Sequence, residues 1–262
     1  MPLSGKRPFR FFLSGKNSGA MNMAIDEAVM TGMKEGRSSP VLRIYTWDPP
    51  TISIGYFQSA EEIDLERCRA DGIGVVRRLT GGRAVLHDEE ITYSILFSEA
   101  DFTPFRKREI FLFIARCLVD SLKLLGISSN IAEKTRGCLA SPNCFAAPAQ
   151  YEIESPDAGK LIGSAQVIRD GVVLQHGAIP LTGSYREIAK YLKGEGHSFK
   201  RASYLNQVSG SGNCEGDLAK SIREGFSMHL PMRDGGLEPQ ELEAARELAK
   251  TRYANLDWLF RK

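Results

Sequence analysis

The sequence has few features that would tie it to a membrane or to nucleic acid. No apolar run approaches the roughly 20 residues that span a bilayer, and no hydrophobic signal core follows the first seven residues. The formal net charge is only +2 over 262 residues, which is too small to indicate a nucleic-acid partner. We therefore expect a cytoplasmic protein that engages neither nucleic acid nor a membrane.

Cysteine is also sparse, and its spacing excludes two kinds of site. The five cysteines are Cys68, Cys117, Cys138, Cys144 and Cys214. Their odd number, scattered positions and lack of a C-x-x-C pair argue against a disulfide framework and against structural zinc. Neither the G-x-G-x-x-G motif nor the P-loop lysine motif occurs, which argues against dinucleotide and P-loop chemistry. We expect no metal and no cofactor.

Periodicity in the remaining sequence predicts the fold class. Strand-like patterns dominate residues 41–179, and helical patterns dominate both ends. This arrangement predicts an α+β fold, with a mixed, mostly antiparallel sheet and flanking helices. We expect a single domain over residues 1–262, with a core at about 10–200 and a helical C-terminal portion at about 201–262.

The individual elements follow from local patterns. Apolar spacing predicts amphipathic helices over 18–34, with Asp26 near the polar edge, and over 109–125, where Gly126 ends the helix. Further helices are predicted at about 61–70, 188–192 (behind a capping box that starts at Ser184), 215–230 and 239–253. Strands are predicted at 41–47 and 51–54, and a hairpin at 160–168 and 172–179 around Asp170-Gly171.

The run from Arg77 to Asp88 contains two adjacent glycines within a basic segment. Glycine amides can face a ligand in conformations closed to other residues, so Gly81 and Gly82 suit an acyl carbonyl or a phosphate. Arg77, Arg78 and Arg83 would add positive charge and forked donors beside them. The alternative is a tight turn between two strands with solvated arginines at its rim.

Cys144 is the best nucleophile candidate, because it lies in a predicted loop over 134–150, whereas Cys68 and Cys117 lie on apolar helical faces that indicate packing. A thiol needs a positive neighbour to ionise, and a lysine can also exchange protons with it. We choose Lys160, which opens a predicted strand where a cleft would desolvate its ammonium group. His87 and His176 are alternative bases. If none of these residues is catalytic, Lys160 is a solvated surface lysine and the two histidines form structural hydrogen bonds.

Several motifs together resemble the lipoate-protein ligase and octanoyltransferase family. They are the helix from Asn22 to Ala28, the run from Arg77 to Asp88, Cys144-Phe145 with Pro148, Tyr151-Glu152, Gly159 to Gln166, and Leu174 to Ile179. The resemblance covers about residues 10–200 and is closest to octanoyltransferases of the LipM type. Arg83 stands where ligases typically have a third glycine, and Cys144 stands where the transferases have their nucleophile.

The resemblance implies a biotin/lipoate protein ligase-like catalytic domain and a specific reaction. An octanoyl group would move from acyl carrier protein to a Cys144 thioester, and then to a lysine of a lipoyl domain such as the glycine cleavage H protein, as the first step of lipoate biosynthesis. Lys160 would carry the protons. The implied substrate-binding residues are Arg77, Arg78, Gly81, Gly82, Arg83, His87, Gly163, Ser164, Gln166, His176 and Gly177.

Three other functions fit the same motifs. An ATP-dependent lipoate-protein ligase would place the glycine amides and arginines around a phosphate. An amidotransferase would move octanoyl or lipoyl groups between carrier domains and would also use a cysteine. A binding module without turnover is the third, although it has no need of a nucleophile and a proton carrier.

Overall fold

The computed structural model describes residues 7–132, 151–194, 202–209, 212 and 215–261. Within these residues the main feature is an eight-stranded sheet. In spatial order its strands are β11 (Met232–Asp234), β1 (Phe9–Asn17), β2 (Val41–Trp47), β6 (Glu90–Ser98), β10 (Val172–Pro180), β9 (Gly159–Arg169), β8 (Ile153–Ser155) and β7 (Asn130–Ile131). β1 runs parallel to β11 and β2, and every other neighbouring pair is antiparallel. The predicted mixed, mostly antiparallel sheet is confirmed.

A smaller three-stranded sheet stands beside the large one. Its order is β4 (Gly74–Arg77), β3 (Thr51–Ile54) and β5 (Val85–His87). β3 pairs parallel with β4 and antiparallel with β5. The basic segment with its glycine pair therefore connects two edge strands, and the sequence patterns had not predicted the short strand β5.

The helices pack on the large sheet and around the smaller one. They are α1 (Gly19–Lys34), α2 (Leu65–Ala70), α3 (Lys107–Leu124), α4 (Leu205–Ser209), α5 (Glu215–Ser227), α6 (Pro239–Leu248) and α7 (Leu256–Leu259), with 3-10 turns at Ala60–Glu62 and Ser184–Lys190 and a wide π turn at Ala249–Tyr253. Ser18 caps α1 by accepting a hydrogen bond from the Met21 amide at 3.3 Å. None of the helices in the described part of the chain is long and apolar enough to cross a membrane.

Several predicted elements are confirmed, and others need correction. The helices over 18–34 and 109–125, the strands at 41–47 and 51–54, and the hairpin are present. The predicted helix at 61–70 is two short pieces, each with its own cap from Ser59 or Asp64. The capping box at Ser184 does not form, because the Ser184 hydroxyl donates to the Asp88 carbonyl at 2.7 Å and the segment is a 3-10 turn. The N-terminal end is not purely helical, since β1 precedes α1.

Candidate active site

A cavity lies where the two sheets meet, lined by residues from both of them. Its apolar wall includes Met23, Tyr45, Trp47 and Val85. Its polar wall includes Ser53, Arg78, His87, Glu152, Lys160 and His176. Such a mixture suits a ligand with a long apolar part and one reactive polar end.

Lys160 is a buried residue of this wall and not a solvated one. Its side chain is 1% exposed, and its Nζ lies 2.7 Å from Glu152 Oε1. The pairing of β9 with β8 shifts register between Lys160 and Ile162, as a β-bulge does. Residues 160 and 163 would face opposite sides of a regular strand, so the irregularity explains how Lys160 and Gly163 can line one cavity.

Arg78 connects the glycine-rich segment to β3 at the cavity wall. Its Nη1 donates to the Ser53 carbonyl at 2.8 Å and to the Ser53 hydroxyl at 3.1 Å. Its Nε donates to Thr80 Oγ1 at 3.2 Å, and its Nη2 donates to the carbonyls of Gly81 and Arg83 at 2.9 and 2.8 Å. A guanidinium that holds so many acceptors fixes the course of the loop.

Two buried histidines are each bonded to a hydroxyl group that Arg78 also contacts. His87 Nε2 lies 2.8 Å from Ser53 Oγ, and His176 Nε2 lies 2.7 Å from Thr80 Oγ1. The His87 ring also stacks on Trp47, with centroids 4.0 Å apart and planes inclined by 9°. Both imidazoles are therefore held in fixed orientations at the cavity wall.

Asp26 faces the other nitrogen of His176, and its predicted place at the polar edge of α1 is wrong. The side chain is 1% exposed and accepts hydrogen bonds from Arg43 Nη1 and Ser94 Oγ, each at 2.8 Å. Its Oδ2 lies 3.7 Å from His176 Nδ1, which is beyond hydrogen-bond distance. Arg43, Ser94 and His176 are cross-strand neighbours on one face of the sheet, and α1 packs its acidic residue onto that row.

The pKa values of this pair follow from burial and charge. Burial alone would raise the pKa of Asp26, but Arg43, and then His176 and Ser94, outweigh it and hold the pKa below its ordinary value. Burial lowers the pKa of His176, although the Asp26 carboxylate opposes this, and Arg78 and His87 lower it further. His176 is therefore a neutral imidazole at neutral pH.

Arg77, the residue next to Arg78, points elsewhere. Its guanidinium donates to the carbonyls of Gly55, Tyr56 and Gln58 and to those of Trp258 and Leu259. It is 1% exposed and does not line the cavity. The structure thus brings Arg78 to the cavity but not Arg77, whose contacts tie the loop after β3 to the C-terminal segment.

The glycine pair packs against a third glycine. A Cβ at Gly55 would lie 1.9 Å from the Gly82 carbonyl oxygen, so the two backbones can approach only because Gly55 lacks a side chain. Gly82 itself has a φ of +97°, which favours glycine, whereas nothing lies within 4 Å of a Cβ at Gly81. Gly81, Gly82 and Arg83 do not line the cavity in the described structure.

The β9–β10 hairpin contributes the remaining predicted residues. Gly163, Ser164 and Gly177 line the cavity. Gln166 does not, but its amide donates to Gln175, Gln175 donates to the Tyr93 hydroxyl, and that hydroxyl lies 2.8 Å from Ser164 Oγ. Burial raises the pKa of Tyr93 to about 12, although the bonds to Ser164 and Gln175 oppose this, so Tyr93 stays a neutral phenol.

The cysteines divide into two groups. Cys138, Cys144 and Cys214 lie outside the described residues, so the nucleophile assignment to Cys144 stays a prediction. Cys68 and Cys117 are buried free thiols. Burial raises the pKa of Cys68 to about 11 and raises the pKa of Cys117 still more. These two behave as packing residues, as predicted.

Within the described ranges, no group of three or more His, Cys, Asp or Glu could hold a metal ion.

Ser53 and Glu90 are site residues that sequence reasoning missed. Glu90 Oε1 lies 2.8 Å from His87 Nδ1, and it also accepts a hydrogen bond from Thr92 at 2.6 Å. Glu90 is three residues after His87, so the acidic run Asp88-Glu89-Glu90 was an available signal. Ser53 carries no such signal, because only the pairing of β3 with β5 brings it to His87.

Comparison with known proteins places these features in context. Residues 18–211 match the family described as the lipoyl protein ligase A/B catalytic domain. The sequence is 39% identical over 273 residues to the octanoyltransferase LipM of Kyrpidia tusciae. The alignment covers 97% of this chain and 99% of that protein. The fold is similar to that of a lipoate-protein ligase A bound with ATP (TM-score 0.81, 27% identity, 97% and 98% coverage). It is also similar to a bipartite lipoate protein ligase from Thermoplasma acidophilum studied with its E2 lipoyl domain (TM-score 0.78, 26% identity, 98% and 98% coverage).

Proposed function

We propose that this chain, which belongs to the lipoyl protein ligase A/B catalytic-domain family and is an octanoyltransferase of lipoate biosynthesis, takes its octanoyl group from acyl carrier protein. The octanoyl group would pass through a thioester on Cys144. The observation that carries this proposal is the buried Lys160 side chain at the wall of a cavity whose surface is mainly apolar. A single catalytic domain over residues 1–262 would perform both half-reactions.

The first half-reaction exchanges one thioester for another. The Cys144 sulfur attacks the carbonyl carbon of the octanoyl thioester, the bond to the carrier's sulfur breaks, and the carrier leaves as a thiol. Lys160 first passes a proton to Glu152 Oε1, which lies 2.7 Å from its Nζ. The Lys160 amine then takes the proton of the Cys144 thiol and returns it to the leaving sulfur. Because the two thioesters are alike in energy, the step needs no ATP.

The second half-reaction forms an amide. The amine of the acceptor lysine attacks the Cys144 thioester, the C–S bond breaks, and the sulfur recovers a proton as the amine loses one. We infer that the acceptor is a lipoyl domain, with the glycine cleavage H protein as the specific partner. The similar ligase studied with its E2 lipoyl domain supports a lipoyl domain as acceptor. The amide is more stable than the thioester, so the thioester supplies the driving force.

The cavity would hold the octanoyl chain. At about 0.8 kcal/mol for each buried CH₂, an eight-carbon chain gains several kcal/mol when it leaves water. Met23, Tyr45, Trp47 and Val85 supply apolar surface for it. Gly163 and Gly177 also line the cavity, and we assign them to acyl binding.

Two donor mixtures test the proposal. The pure protein is incubated with an unmodified lipoyl domain and either octanoyl-acyl carrier protein, or octanoate or lipoate with ATP and magnesium. We expect acceptor acylation with the carrier-bound donor and none with the ATP mixture. Acylation only with ATP would reject the transferase in favour of a ligase, the activity to which the similar ATP-bound structure points. Octanoylated H protein as a third donor detects an amidotransferase.

A further inference from the structure

A second set of groups at the cavity has the geometry of an acyl-transfer site and does not include Cys144 or Lys160. Ser53 Oγ lies 2.8 Å from His87 Nε2, and His87 Nδ1 lies 2.8 Å from Glu90 Oε1. The three residues are 1%, 6% and 2% exposed. A hydroxyl, an imidazole and a carboxylate joined in this order within 2.6–3.2 Å form the hydrogen-bond chain of an activated serine.

The surroundings fix which atom of His87 can accept a proton. The Glu90 carboxylate is an acceptor, so a neutral His87 donates its Nδ1 proton to Glu90 and keeps its lone pair on Nε2, toward Ser53. The Thr92 hydroxyl donates to Glu90 Oε1 and holds that carboxylate in place. Trp47 stacks flat on the imidazole and donates its ring N–H to Thr92 Oγ1 at 2.7 Å. The base is therefore both oriented and immobilised.

Arg78 adds the positive charge that such a site needs. Its Nη1 donates to Ser53 Oγ at 3.1 Å, so negative charge that develops on this oxygen meets a guanidinium. Ser53, His87 and Arg78 all line the cavity, whereas Glu90 stands behind His87 and does not. The serine is thus the member of the chain that an acyl group in the cavity would meet.

We propose that Ser53, His87 and Glu90 form a second acyl-transfer site, in which Ser53 is a nucleophile toward medium-chain acyl esters. The Ser53 oxygen attacks the ester carbonyl carbon and its proton passes to His87 Nε2. The bond to the alcohol oxygen breaks, and the alcohol leaves with the proton from His87. Water then attacks the Ser53 ester with His87 as base, which releases the fatty acid and regenerates the serine. The eight-carbon chain rests on the proposed function, but the serine chemistry does not.

The Cys144→Ala variant isolates this activity from the thioester route. It is given p-nitrophenyl octanoate, and release of p-nitrophenolate is followed. We expect hydrolysis that falls by about 100-fold or more in Cys144→Ala/Ser53→Ala, because the nucleophile is removed. Glu90→Gln in the same background lowers the rate through the orientation of His87. Ser38→Ala is the matched control, since Ser38 is a buried serine that donates to a glutamate, Glu241, at 2.6 Å without a histidine.

A covalent label detects the reactivity of Ser53 without a substitution at this residue. The folded Cys144→Ala variant is treated with an octyl fluorophosphonate. An activated serine oxygen forms a bond to its phosphorus, the P–F bond breaks and fluoride leaves, and the labelled peptides are then mapped by mass. We expect the label on Ser53. Its absence from Ser53, or hydrolysis that is as fast without the Ser53 hydroxyl as with it, overturns the proposal. Failure of transfer from acyl carrier protein would not affect this result, so the two proposals fail separately.

Discussion

The Lys160 ammonium lies 2.7 Å from the Glu152 carboxylate, and both side chains are buried at the cavity wall. A buried ammonium group is costly unless it is paired, and the pair therefore keeps Lys160 in a place where substrate atoms can reach it. Glu152 is the positioning residue in this arrangement, and Lys160 is the residue that would move protons.

Removal of the Lys160 amine should slow octanoyl transfer strongly while the protein stays folded. We expect Lys160→Ala to lower the transfer rate by about 10²- to 10⁴-fold, the usual contribution of a general base. Because the change also breaks a buried ion pair, the double variant Lys160→Met/Glu152→Gln provides a folded protein without the proton carrier. Lys190→Ala removes a half-exposed lysine as a control. Equal rates in Lys160→Met/Glu152→Gln and the wild type would exclude Lys160 from the mechanism.

Gly177 should tolerate no side chain. A Cβ there would lie 2.6 Å from Tyr93 Cε1, 2.7 Å from Ser164 Oγ and 2.9 Å from the Gly163 carbonyl oxygen. Since backbone is among these neighbours, we expect Gly177→Ala to reduce the free energy of unfolding by about 1–3 kcal/mol and to weaken octanoyl transfer. Urea unfolding measures the first effect. Gly236→Ala, with open space around its Cβ, is the control, and an equal loss in both variants would contradict the account.

Asp26 should be a strong contributor to stability despite its charge. Asp26→Asn leaves the buried Arg43 guanidinium without its carboxylate, a change that typically costs about 3–5 kcal/mol. The matched control is Asp170→Asn, which breaks an exposed pair with Lys34 and should cost no more than about 1 kcal/mol. Chemical denaturation of both variants compares them, and similar losses would show that the buried pair has no special role.

His176 should make the protein less stable as the pH falls. Burial lowers its pKa below the ordinary 6.5, so below about pH 6.5 the unfolded chain binds a proton that the folded protein does not. The free energy of unfolding should therefore fall as the pH drops from about 6.5 toward the lower folded-state pKa. His176→Gln should flatten this part of the curve, in urea titrations at a series of pH values. An unchanged slope in His176→Gln would assign the effect to other groups.

Local patterns predicted those elements whose burial follows a simple period. α1, α3 and the β9–β10 hairpin carry clear helical spacing or a clear turn signal, and the structure confirms them. β1 was missed because Phe9, Arg10, Phe11 and Phe12 are all buried, so the strand lacks the alternation that reveals one exposed face.

The sequence predicted which types of residue form the site, but not the directions in which their side chains point. Arg77 and Arg78 are adjacent in sequence and received the same predicted role, yet one binds carbonyls near the C-terminus and the other contacts the cavity serine. Asp26 was placed at a polar edge because its partner, Arg43, belongs to a strand beyond the helix. Such pairings depend on how distant elements pack, which periodicity does not encode.

We propose that Cys144 carries the octanoyl group between donor and acceptor. The most direct test is the intact mass of the protein after it is mixed with octanoyl-acyl carrier protein in the absence of an acceptor. We expect a gain of one octanoyl group that neutral hydroxylamine removes, that maps to Cys144 and that is missing in Cys144→Ala. No gain in the wild type, or the same gain in Cys144→Ala located on Cys138 or Cys214, would contradict the account.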